Sequence, residues 1–190
     1  MKIVCFGDSN TYGFDPRSYF GGRYDAEHRW VDLLAKKAAV TAENYGQNGL
    51  SIPSHEYDLP LYDRIINSAK PDLVIIMLGS NDLLQGLDAS AVAKRMENFI
   101  GSISTEKEKL ILLSPVVFSP GAWVDNDTVI EQSFLLGERL KELSERLHIK
   151  FIDTRGWEVP LCYDGVHFTQ AGHVKFAEHL YNSIPEIKEK

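Results

Sequence analysis

Five short strand-like runs punctuate the chain: IVCF at 3–6, TAENYG at 41–46, DLVIIML at 72–78, KLILLS at 109–114 and KFID at 150–153. Helical patterns separate them, an alternation that predicts successive βαβ units. The unbroken apolar stretch from Val74 to Leu78 is what a parallel strand needs when helices cover both its faces, so it is expected at the centre of a sheet. HRWVDLLAKKAA places Trp30, Leu33, Leu34 and Ala38 on one helical face. TVIEQSFLLGERLKELSERL carries a stripe of Ile130, Phe134, Leu140, Leu143 and Leu147, and Thr128 with Glu131 reads as a capping box at its start. A last helix is expected from Thr169, burying Val174, Ala177, Leu180 and Ile184. No repeat, low-complexity tract or linker interrupts the pattern. The reading is an α/β protein, a three-layer α/β/α sandwich with a flavodoxin-like five-stranded parallel sheet, forming one domain over 1–190.

Three long loops stand out: GFDPRSYFGGRYDAE at 13–27, SIPSHEYDLP at 51–60 and FSPGAWVDNDT at 118–128. Ligands of open α/β sheets bind beyond the carboxyl ends of the strands, where such loops form walls; ordinary surface excursions are the alternative. Tyr19, Phe20 and Tyr24 in the first loop would suit either a partner subunit, making a homo-oligomer, or packing within the chain.

Composition narrows the function. The chain has 190 residues, 44% of them hydrophobic, which suffices for one sizeable core. Its net charge of −7 supplies no basic stripe for nucleic acid and no polybasic anchor for a membrane, which favours a small-molecule partner. No stretch approaches the roughly 20 apolar residues of a membrane span, and the first apolar run is short for a signal peptide, so a cytoplasmic location is expected. Cys5 and Cys162 lack metal or redox spacing and read as free thiols.

Small polar residues cluster after three strands and before the last helix: Gly7-Asp8-Ser9-Asn10, Asn44 to Gly49, Gly79-Ser80-Asn81-Asp82 and Asp164-Gly165-Val166-His167. A parallel sheet gathers its strand ends along one rim, so these clusters can converge. A serine hydroxyl becomes a useful nucleophile when a base lies within hydrogen-bond reach and a third group orients that base. Ser9, His167 and Asp164 can fill these roles. The Ser9 and Gly49 N–H groups and the Asn81 amide are candidate donors to an oxyanion. Asp82, an acceptor only, is assigned to a turn. Asn10 beside the serine and His55, Phe118 and Trp123 on wall loops are candidate substrate contacts, whereas His173 and His179 are expected to face solvent or a neighbouring layer. The plainer alternatives are a helix-capping role for Ser9 and a metal pair for Asp164 and His167; no further ligand cluster completes the latter, and no metal is expected.

GDSN at 7–10, NYGQNG at 44–49, GSND at 79–82 and DGVH at 164–167 resemble the four ordered blocks of the SGNH hydrolases, the GDSL lipase/esterase family. The longer stretches CFGDSNTYG, DLVIIMLGSND and DGVHFTQAG, with Arg29-Trp30, are similar to its arylesterase and acetyl-transferring branch. The resemblance implies a flavodoxin-like sandwich, Ser9 as nucleophile and oxyanion donor, Gly49 and Asn81 as further donors, and Asp164 and His167 as the remaining triad members. It implies a serine esterase acting on small ester substrates with short acyl groups, by hydrolysis or transfer, with no cofactor. The family usually has Leu or Ile after the serine, so Asn10 is a departure, expected to alter the floor of the site. The competing reading is a flavodoxin-like module holding a phosphate or flavin at the helix that begins near Ser9, without hydrolase activity. Asp8 would set a negative charge beside that phosphate, and no phosphate-binding glycine motif is present.

Overall fold

The computed structural model describes residues 1–18 and 20–188. Its strands are β1 (Lys2–Gly7), β2 (Thr41–Gly46), β3 (Leu73–Met77), β4 (Leu110–Leu113) and β5 (Lys150–Ile152). They form one parallel sheet in the order β2-β1-β3-β4-β5. Each strand lies within or against one of the five predicted runs, and β3 is central as its apolar sequence requires. The helices are α1 (Ser9–Tyr12), α2 (Trp30–Ala38), α3 (Leu59–Ser68), α4 (Ser80–Leu84), α5 (Ala89–Ser102), α6 (Asp127–Leu147) and α7 (Gln170–Ser183).

Alternation along the strands creates two cores. Val4, Phe6, Val74, Ile76, Leu110 and Leu112 point to one face and pack with residues of α3, α5 and α6, among them Ile66, Met96, Phe99 and Leu140. Ile3, Cys5, Ile75, Met77, Ile111 and Leu113 point to the other and meet Trp30, Leu34, Phe176 and Leu180 of α2 and α7. The result is the three-layer sandwich. Because the chain moves outward from β1 to β2 and then crosses back to β3, the strand order reverses between β1 and β3. Ligand crevices open at such a switch point.

Three local expectations are corrected. The cap of α6 is Asn126, whose side chain accepts the Val129 N–H at 3.0 Å, so Thr128 lies inside the helix and forms no capping box with Glu131. Phe134 is 47% exposed and carries the Arg155 guanidinium over its ring at 4.6 Å; Leu136 takes its place in the buried stripe. Val174 on α7 is 39% exposed, while Ala177, Leu180 and Ile184 are buried as expected and Thr169 caps the helix. Among the described residues no helix is long and apolar enough to cross a membrane.

Candidate active site

β1 ends at Gly7, and Asp8 caps the short α1 by accepting the Asn10 N–H at 3.0 Å. This puts Ser9 on the first turn, 7% exposed, with its Oγ 3.0 Å from Nε2 of His167. The opposite ring nitrogen, Nδ1, lies 2.8 Å from Oδ2 of the buried Asp164. A carboxylate only accepts, so Nδ1 carries the proton, and Nε2 is left to accept from the Ser9 hydroxyl. The three residues thus form a continuous hydrogen-bonded relay drawn from the two ends of the chain.

The turn at Asp164-Gly165-Val166-His167 is built by its own carboxylate. Oδ1 of Asp164 accepts the backbone N–H groups of Val166 and His167, each at 2.9 Å. Burial pushes the Asp164 carboxyl upward in pKa, but the bonds from the His167 ring, these two N–H groups and the imidazole charge together hold it below the usual range. Gly165 sits at φ 81°, and a Cβ there would collide with the Ser119 carbonyl. A Cβ at Gly121 would likewise collide with the backbone of Asp164 and Gly165. These contacts dock the 118–126 loop on the turn through Ser119 N–H to Gly165 O and Trp123 N–H to Asp164 O, at 3.0 and 3.1 Å. Trp123 then stands edge-on to the His167 ring, centroids 5.0 Å apart, while Phe14 covers the ring from the first loop at 4.8 Å. Trp123 is 54% exposed.

On the Ser9 side, the buried Asp8 is pushed up to about 6 by desolvation, opposed by the Asn10 N–H, the His167 charge and the Ser80 hydroxyl. A phosphate cradle on α1 is disfavoured here, since its Asn10 N–H is already taken by a carboxylate and the Ser9 hydroxyl by His167.

Gly49 lies at φ 73° in the turn after β2, and the next residue, Leu50, accepts a hydrogen bond from the Asn81 amide at 3.0 Å. The two candidate donors are therefore tied to one another, and a primary amide keeps a second N–H to offer. Asp82 is more than a turn residue. Fully buried on α4, it accepts the Ile52 N–H at 3.0 Å and Nη1 of Arg95 at 2.9 Å, anchoring the 51–58 wall loop to α4 and α5.

The remaining expected contacts divide. His55 is exposed, stacks on Tyr57 at 5.3 Å and borders a cavity of about 330 Å³ with Leu50, Ile52, Tyr62 and Arg95. Phe118 is not a wall residue: it is buried in the core with Val124 and Leu136, its N–H held by Ser133 Oγ. Asn10 spends its amide on the site's own backbone: Nδ2 donates to the Val166 carbonyl and Oδ1 accepts the Phe168 N–H. Tyr24 packs within the chain, buried edge-on against His173, while Phe20 is exposed and Tyr19 lies outside the described residues. His173 is buried on the α2/α7 side of the sheet against Tyr24 and Phe168, accepting the Trp30 N–H on Nδ1 at 3.4 Å. His179 stacks on Trp157. Phe14 and the Asp82–Arg95 pair were not among the sequence expectations; the signal available for the latter was an acidic residue directly after Asn81 in a strand-end block.

The fold and sequence both have counterparts. A proposed arylesterase from Agrobacterium tumefaciens str. C58 superposes with a TM-score of 0.83 at 26% identity, over 98% of this chain and 99% of that one. A carbohydrate acetylesterase from Sinorhizobium meliloti (TM-score 0.82, 20% identity, 96% and 97% covered) and the native aryl esterase of M. smegmatis (0.83, 21%, 98% and 99%) share the fold. No curated protein is a significant sequence match. Residues 5–175, which carry all four blocks and the relay they build, match the GDSL-like lipase/acylhydrolase model, and the chain belongs to that family.

Proposed function

We propose that the protein is a serine esterase that cleaves short acyl esters of small molecules through an acyl-enzyme on Ser9. The observation that carries this reading is the Ser9–His167–Asp164 relay at 3.0 and 2.8 Å. Ser9 Oγ attacks the ester carbonyl as Nε2 of His167 takes its proton. Asp164 holds the proton on Nδ1 and stabilises the imidazolium. The negative charge that develops on the carbonyl oxygen falls to the N–H groups of Ser9 and Gly49 and the free N–H of Asn81. His167 then protonates the departing alkoxide, and water or a second alcohol, activated by the same nitrogen, releases the acyl group.

The proton route also orders the substrate. The leaving oxygen must approach Nε2, so the alcohol portion lies on the His167 side, against Phe14 and Trp123. A flat aryl ring or a sugar face suits that aromatic surface. The likeness to the Agrobacterium arylesterase favours an aryl or comparable alcohol and a short acyl chain. The test is hydrolysis of a p-nitrophenyl ester series from acetate to octanoate in the presence of chelator. Fast turnover of acetate that declines with chain length and vanishes in Ser9→Ala supports the reading; equal rates in the two proteins overturn it.

A further inference from the structure

The carboxamide of Asn10 bridges the two peptide groups that flank His167. Nδ2 donates to the Val166 carbonyl at 3.0 Å and Oδ1 accepts the Phe168 N–H at 2.9 Å. Both bonds are buried. Asn10, the residue after Ser9, is itself fixed at two further points: its N–H by Asp8 and its carbonyl by Nε1 of Trp30 at 3.0 Å. Beyond the bridge, the Cys162 N–H holds the His167 carbonyl at 2.7 Å and Leu161 pairs with Phe168.

We propose that Asn10 is a positioning residue that sets the approach of the His167 imidazole to Ser9 by clamping residues 166 and 168 to the backbone turn carrying the nucleophile. The proposal rests on the reading of Ser9 and His167 as nucleophile and base. Its physical content is that the residue next to the nucleophile grips the base's segment from both sides, so any shift of one is transmitted to the other. An aliphatic side chain at position 10 makes neither bond. It leaves a buried donor and a buried acceptor unpaired beside His167, and the segment must move to satisfy them. Misplacement by about 1 Å is enough to cost roughly 100-fold in rate. Because Asn10 touches neither ring nitrogen nor Ser9 Oγ, the effect falls on alignment, hence on kcat, with KM little changed.

The experiment compares wild type, Asn10→Leu, Asn10→Asp and Ser9→Ala in p-nitrophenyl acetate turnover and in the rate of inactivation by a fluorophosphonate, which reads Ser9–His167 alignment without the substrate's binding contacts. Leu143→Ala, a core change on α6 remote from the site, controls for lost stability. The expected result is that Asn10→Leu loses about 10- to 100-fold in both kcat and inactivation rate. Asn10→Asp, which keeps the acceptor for Phe168 but has no donor for Val166, falls between, and Leu143→Ala retains both rates at a temperature where it stays folded. Should Asn10→Leu fail to fold, Asn10→Asp carries the test, being close to isosteric. Wild-type inactivation rates in the folded Asn10 variants, or a loss matched by Leu143→Ala, overturn the clamp while leaving Ser9 in place. Labelling of Ser9→Ala by the fluorophosphonate overturns the underlying reading and the clamp with it.

Discussion

Asp164 grips His167 twice, through Oδ2 to the ring Nδ1 at 2.8 Å and through Oδ1 to the residue's own backbone N–H at 2.9 Å. Orientation of the imidazole and construction of the turn are therefore one feature, and two substitutions separate them. Asp164→Asn keeps an oxygen for the backbone N–H groups but turns an amide donor toward the ring, or else misplaces that oxygen. Its kcat should fall by about 10³- to 10⁴-fold while the fold survives. Asp164→Ala strips the acceptor from two buried N–H groups and should lose about 2–4 kcal/mol of stability, read by urea denaturation. A kcat for Asp164→Asn within about tenfold of wild type would contradict an orienting role.

Arg95 should matter more than a surface arginine. Its side chain is 35% exposed, yet its partner Asp82 is wholly buried and also holds the Ile52 N–H. Arg95→Met leaves that carboxylate with one donor and should cost about 1–3 kcal/mol, discounted from a fully buried pair for the solvent that reaches Arg95. Loosening of the 51–58 loop should follow, seen as faster amide exchange at Ile52. A stability change below about 0.5 kcal/mol would show that water replaces the guanidinium.

His173 should make the fold acid-sensitive. Burial lowers its pKa to about 3, helped by the charges of Arg29, His167 and His28. The unfolded chain binds a proton near pH 6.5 while the folded one does not, so this contribution is complete above 6.5 and is lost as pH falls toward 3, at up to about 1.4 kcal/mol per pH unit. Asp8 works the other way: raised to about 6, it takes up its proton in the folded state first, so acidification between 6 and 3.8 favours folding. The two partly cancel in wild type, and the difference between proteins is the informative quantity. Relative to wild type, His173→Gln, which can still accept from the Trp30 N–H, should gain stability steadily as pH drops below 6.5. Parallel stability curves from pH 7 to 4 would refute it.

Trp123→Ala should raise KM for aryl acetates by about tenfold and leave the Ser9 inactivation rate by a small fluorophosphonate nearly unchanged. The ring stands beside His167 but makes no bond to either of its nitrogens. A fall in kcat at constant KM would instead assign Trp123 to holding the imidazole.

The sheet was legible because its signal is local. Five runs with β-like composition fix five strands, and the solid apolar content of Val74 to Leu78 fixes which one is central. The relay was legible because three of the blocks follow strands of one parallel sheet, whose ends the topology must gather, and the fourth, carrying Asp164 and His167, stands just before the last helix. What escaped depends on partners distant in sequence. Phe134 reads as core until Arg155, from beyond β5, covers its ring; Phe118 reads as a pocket wall until Ser133 and α6 enclose it. Nothing near Asn10 announces that both ends of its amide are used 156 and 158 residues away. Asp82 likewise has its two partners on other elements.

The central claim is that Ser9 becomes acylated, and the most direct measurement is rapid acid quenching of the enzyme during p-nitrophenyl acetate turnover, followed by intact-mass and peptide-mass analysis. Addition of one acetyl group on the peptide containing Ser9, accumulating within the first turnover, absent from Ser9→Ala and slow to form in His167→Ala, is the predicted result. Steady turnover by a correctly folded Ser9→Ala, or an acetyl group carried on any other residue at the turnover rate, would contradict it.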